Sequence, residues 1–193
     1  MGKKYYPVLD FPHQSVIIYK GVFHFKYLYM AAYDWVCENG WKSYEGDDKV
    51  ESMYAEEHQP GPVRKVWIWW RMQKTPDNSY FRYFLNIEFL GFGVTNVEIV
   101  KDGKKIQCQK GELNILIKPW IEADYGDKWE KSALLKHFTT LYQERIIKND
   151  IEKRIGLQLA ETNRFHGMIK KTLDLAGFSE DREIYSPKYF LDG

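Results

Sequence analysis

The sequence predicts an α+β fold, an antiparallel β-meander of about five to seven strands packed against long C-terminal helices. Three observations carry that reading. Val63 to Lys74 and Tyr80 to Phe92 alternate in polarity, and Thr75-Pro76-Asp77-Asn78-Ser79 between them is turn chemistry. Asp102-Gly103 is a two-residue hairpin signal between further β-rich runs. Beyond Asp127 the apolar residues recur at helical spacing. Connections this short join antiparallel strands and exclude βαβ crossovers.

Taken in order, Ser15 to Tyr19 is a β-branched run that predicts a first strand. Phe25 to Asn39 predicts a helix, because Leu28, Ala31, Ala32, Trp35 and Val36 share one face and Gly40 follows as a natural terminator. Ser43 to Pro62 is polar and reads as loop around one weak edge strand near Glu51 to Glu56. Val97 to Val100 leads into the Asp102-Gly103 turn, Lys104 to Gln109 returns, and Lys110-Gly111 is expected to turn again. Glu112 to Ala123 is the last strand, and Pro119, which cannot donate to a ladder, places it at an edge or a bulge. Asp127 to Glu130 has capping-box spacing before the stripe Leu134, Phe138, Leu141, Tyr142 and Ile146. A second start at Asn149 to Glu152 opens the stripe Ile151, Ile155, Leu159, Thr162, Phe165, Ile169 and Leu173, ended by Gly177. The pattern fits two helices or one kinked helix, with two favoured. Residues 1–178 form one domain in this reading, and 179–193 a loosely packed or disordered tail.

Composition bounds the function. A chain of 193 residues with 44% hydrophobic and 28% charged residues can bury a core of its own. The aromatic share, 17%, is high and implies bulky core layers or an adhesive surface. A net charge of +1 disfavours a surface built for nucleic acid. Cys37 and Cys108 form no CxxC pair and read as small buried hydrophobes in a reducing compartment. The N-terminus lacks a secretory pattern, Tyr6 stands where a myristoylation signal needs Ser or Thr, and Val22 to Val36 is interrupted by His24, Lys26 and Asp34. The expectation is a soluble cytoplasmic protein without a membrane span.

Alternation sorts the strand residues onto two faces. Val66, Ile68, Trp70, Met72, Phe81, Tyr83, Leu85, Ile87, Phe89, Leu113, Ile115 and Ile117 share one, which the C-terminal helices must cover. The other carries Trp67, Trp69, Arg71, Arg82, Phe84 and Trp120 among polar residues. A register pairing Arg71 with Phe84 and Trp69 with Asn86 avoids opposing Arg71 to Arg82. This aromatic-arginine face is buried within the chain, serves as an oligomer or partner interface, or stacks single-stranded nucleic acid.

No phosphate loop, HExxH, GxSxG or paired-cysteine motif occurs, and His13, His24, His58, His137 and His166 are scattered. Glu56-Glu57-His58 reads as charged loop, and Lys153-Arg154, Arg164 and Lys170-Lys171 as solvated helix faces. The sequence therefore nominates no catalytic residue, metal ligand or cofactor.

A strand, a helix, an antiparallel meander and a long C-terminal helix resemble the helix-grip architecture of START-type proteins. The chain departs from it in having one helix after the first strand and an extra terminal helix. The resemblance implies an apolar cavity between sheet and helix, lined by Trp70, Tyr83, Leu85 and Ile115. Fold alone does not choose a function. The leading expectation is a non-catalytic interaction or assembly protein, contacting a protein partner or its own copies through Trp67, Trp69, Arg71, Arg82, Phe84 and Trp120. The second is a carrier or enzyme for a small apolar ligand in the cavity, and the third is nucleic-acid association.

Overall fold

The computed structural model of the chain describes residues 4–8, 14–45, 49–75, 80–101, 104–123 and 148–176. Its elements are β1 (Lys4–Pro7), β2 (Ser15–Phe23), α1 (Phe25–Glu38), β3 (Lys42–Ser43), β4 (Glu51–His58), β5 (Arg64–Lys74), β6 (Phe81–Lys101), β7 (Lys104–Ala123) and α2 (Lys148–Ala176). The seven strands form one antiparallel sheet, so the α+β class holds. The β6–β7 hairpin is its centre. Beyond β6 lies β5, whose outer edge is shared by β4 and β3, and beyond β7 lie β2 and β1 end to end.

The first helix begins and ends as its sequence requires. His24 accepts a hydrogen bond from the Tyr27 N–H through Nδ1 at 3.1 Å, satisfying one of the orphan donors of the first turn. Gly40 follows the cap residue Asn39 at φ 75°, a conformation that costs glycine nothing. Leu28, Ala32 and Val36 of α1 and Phe165, Ile169 and Leu173 of α2 join Ile17, Trp70, Leu85, Ile87 and Ile115 in one core. Trp35 meets Phe165 with ring centroids 4.9 Å apart, tying the helices together. Both helices therefore lie on the same side of the sheet.

Several expectations change. β5 pairs with β6 two residues beyond the register read from the sequence, so Arg71 opposes Asn86 and Trp69 opposes Glu88. An even shift preserves both faces, and it brings Arg71 Nη2 within 2.8 Å of Glu88 Oε1. Lys110-Gly111 is not a turn, because β7 runs straight through it. Gly111 lies against a bulge between Phe92 and Thr95, where Gly93 takes φ 63°. A Cβ on Gly111 would sit 2.9 Å from the Phe92 carbonyl oxygen, so glycine is needed there for close approach.

Pro119 sits in a central strand, not at an edge. Its carbonyl accepts from the Val8 N–H at 3.4 Å, so its nitrogen faces the same side. On that side the outer partner changes from β2, which ends at Ser15↔Ile117, to β1, which starts at Pro7↔Trp120. The missing N–H falls in the gap.

Glu56, Glu57 and His58 belong to strand β4 rather than a loop. Cys37 is exposed, whereas Cys108 is buried as expected and burial pushes its thiol upward. His166, outside the apolar stripe of the sequence, is nonetheless buried in α2. The helix expected over Asp127 to Ile146, His13, His137, the Asp102-Gly103 turn, Gly177 and the 179–193 tail lie outside the described residues.

Candidate functional site

A cavity of about 320 Å³ opens between the start of α1, β4 and the bulged strand ends. Its floor is apolar and largely buried: Phe23, Ile68, Phe89, Gly91, Val94 and Leu113. The bulge shapes it, because a Cβ on Gly91 would press on Val94 Cγ2 at 2.9 Å. Around the mouth stand Lys26, Glu51, Tyr54, Glu56, Arg64 and Gln109.

The polar groups of the mouth are arranged in order. Trp70, fully buried, donates from Nε1 to the Tyr29 hydroxyl oxygen at 3.3 Å, and Tyr29 in turn donates to Glu51 Oε1. Burial raises the Tyr29 phenol above its usual range, and the bond to Glu51 raises it further, so the hydroxyl keeps its proton. Tyr54 repeats the pattern with Glu56; burial first, then that hydrogen bond, pushes it up to about 12. Glu56 also lies 3.9 Å from Arg64 Nη1 and 3.8 Å from His58 Nε2. Arg64 Nη2 donates to Asn96 Oδ1 at 3.1 Å, and Gln109 Oε1 accepts from the Phe25 N–H at 3.0 Å. Among the described residues no cation lies within ion-pair distance of Glu51.

The opposite face of the sheet carries the residues the sequence singled out. Phe84 stacks on Trp120 with centroids 3.8 Å apart, Tyr5 meets Trp120 edge-on at 5.0 Å, and Tyr44 meets Phe84 at 5.2 Å. Arg82 lies over Phe84 at 5.0 Å and Arg71 over Trp69 at 5.2 Å. Burial pushes Tyr44 up to about 12, against the lowering pull of Arg71, as its hydroxyl donates to Asn86 at 2.8 Å. The charges are spent within the face. Glu88 takes Arg71 at 2.8 Å and Lys118 at 2.9 Å, and buried Glu122 takes Arg82 Nε at 2.7 Å. Among the described residues, no helix lies on this face.

Trp67, Trp69 and Arg71 thus form one row, with Arg82, Phe84 and Trp120 across the same surface. Trp70, Leu85 and Ile115, expected to line a cavity, are packed core residues with 0%, 1% and 0% exposure. Tyr83 borders a separate shallow cleft with Glu161 and Arg164 of α2, its hydroxyl accepting from Arg154 Nη1 at 2.9 Å. None of these four lines the cavity described above.

Sequence reasoning missed Tyr29, Glu51, Tyr54, Glu56 and Arg64. A signal was present: Tyr54 and Glu56 pair with Ile68 and Val66, so their side chains share the core face of an edge strand, where polar groups need a reason. The described residues hold no group of three metal-ligating side chains, and no helix among them is long and apolar enough to cross a membrane. No family model, no curated protein and no solved structure matches the chain.

Proposed function

We propose that the protein binds a small, largely apolar ligand in the cavity between α1 and the bulged sheet end, as a carrier or as an enzyme. One observation carries the reading: an apolar recess of about 320 Å³ with a few placed polar groups. Ligand pockets typically begin at roughly 300 Å³ and are built this way. The helix-grip reading of the fold accords with it, since that architecture closes helices over an antiparallel sheet around a ligand. The test is binding of a neutral fluorescent apolar dye such as Nile red. Val66→Trp, which fills the cavity from β5, is expected to weaken binding about tenfold or more while the unfolding midpoint holds. Equal binding by wild type and a folded Val66→Trp variant would overturn the proposal.

A second reading is self-association through the aromatic face. It is supported by half-buried Trp67, Trp69 and Trp120 on one surface, a residue type that anchors interfaces. Native mass spectrometry tests it: a dimer that Trp67→Ser/Trp69→Ser reduces to monomer supports it, and a wild-type monomer at tens of micromolar removes it.

A further inference from the structure

We infer that the ligand of this cavity is a small amine, bound as its ammonium ion with Glu51 as counter-ion and aromatic rings around its apolar body. The inference rests on the cavity reading and gives it a ligand class. Some charges at the mouth are already committed. Glu56 accepts from Tyr54 and has Arg64 and His58 beside it, and Arg64 is further engaged by Asn96. Glu51 differs. It is held in place from the inside by Tyr29, which Trp70 holds in turn, yet among the described residues it has no cationic partner. A carboxylate that accepts from a neutral donor has its remaining lone pairs left for something else, and a site organised in advance loses little entropy on binding.

The wall beside it suits a cation. Phe25, Tyr29 and Phe89 form a triangle of rings with centroid separations of 6.0, 6.2 and 6.2 Å, and all three line the cavity. Ring faces attract ammonium groups, more so where water is excluded. Lys26 is the competing feature, being the other charge at the mouth without an ion pair among the described residues. Both it and Glu51 are exposed, but Lys26 is held by no hydrogen bond among the described residues, so its ammonium group is free to swing away from the cavity. Glu51 is anchored; Lys26 is not.

The experiment is isothermal titration of the full chain with three ligands of one shape: 2-phenylethylamine, 2-phenylethanol and phenylacetate. The expected order is amine first, by about tenfold over the alcohol, with the carboxylate weakest. Glu51→Gln keeps an acceptor for Tyr29 and so keeps the fold; it should erase the amine's advantage and leave alcohol binding unchanged. Lys26→Met should not weaken the amine. Phenylacetate binding tightest, with the advantage lost in Lys26→Met, overturns the ammonium inference and leaves the cavity reading standing. So does binding of Nile red without any preference among the three heads. Failure of all three compounds and of Nile red sinks both.

Discussion

Arg82→Met should destabilise the protein by about 3 kcal/mol, and the reason can be worked from its partners. Arg82 gives Nε to Glu122 Oε2 at 2.7 Å and Nη1 to Gln73 Oε1 at 3.2 Å, and it covers the Phe84 ring. The Glu122 side chain is 0% exposed and that of Arg82 20%. Removing one member of a buried pair costs roughly 3–5 kcal/mol, because a desolvated charge loses its main compensation. The partial exposure of Arg82 argues for the lower end. For a chain of this length the melting temperature should drop by about 6–12 °C. Urea unfolding of the single variants and of Arg82→Met/Glu122→Leu provides the assay. The double variant should recover part of the loss, since both charges of this pair are then gone. A loss below about 1 kcal/mol in Arg82→Met would refute the argument, and Arg82 would then be available to a partner instead of being spent on the fold.

Two further predictions concern the backbone and the pH dependence. Gly111→Ala places a Cβ 2.9 Å from Phe92 O, 3.1 Å from Gly93 O and 3.1 Å from Val94 Cα, all backbone atoms that cannot swing aside. It should cost about 2 kcal/mol in urea unfolding, and an unchanged midpoint would show that the bulge gives way. His166 is held down to about 4 by burial first and then by the Lys170 charge, so it folds neutral. The unfolded chain takes up the proton near pH 6.5, so stability holds above that value and falls between pH 6.5 and 4, by about 2–3 kcal/mol at pH 4.5. His166→Leu should lack that part of the slope; identical pH profiles in the two proteins would exclude His166 as its source.

The parts of the fold legible in the sequence are those where one residue type admits one local answer. Gly40 after an apolar helical stripe and the alternation of Ile68, Trp70 and Met72 against Trp67, Trp69 and Arg71 depend on neighbours in the chain, and they survive in the structure. Register depends on side chains far apart. That Arg71 pairs with Glu88 is invisible until β5 and β6 are laid side by side. Lys110-Gly111 has turn composition, and only the facing bulge at Gly93 shows that the glycine serves close approach. The cavity was the least legible. Tyr29, Glu51 and Arg64 belong to three separate elements, α1, β4 and β5, and their meeting depends on how those elements pack. The resemblance to a helix grip implied a cavity lined by Trp70, Leu85 and Ile115, and these three are packed core residues.

The two sides of the sheet differ in what their polar groups have left to offer. On the aromatic face Glu88 answers both Arg71 and Lys118, and Glu122 answers Arg82, so substitutions there should register first as stability. At the cavity Glu51 is anchored by Tyr29 on one side only, so Glu51→Gln should register as lost binding in a protein of unchanged stability. Gly111 belongs to neither class. It supports the bulge that sets Val94 in the cavity floor, so its substitution should weaken folding and binding together. Three variants with three separable outcomes follow from one geometric fact: among the described residues, both helices pack on one face of the seven-stranded sheet.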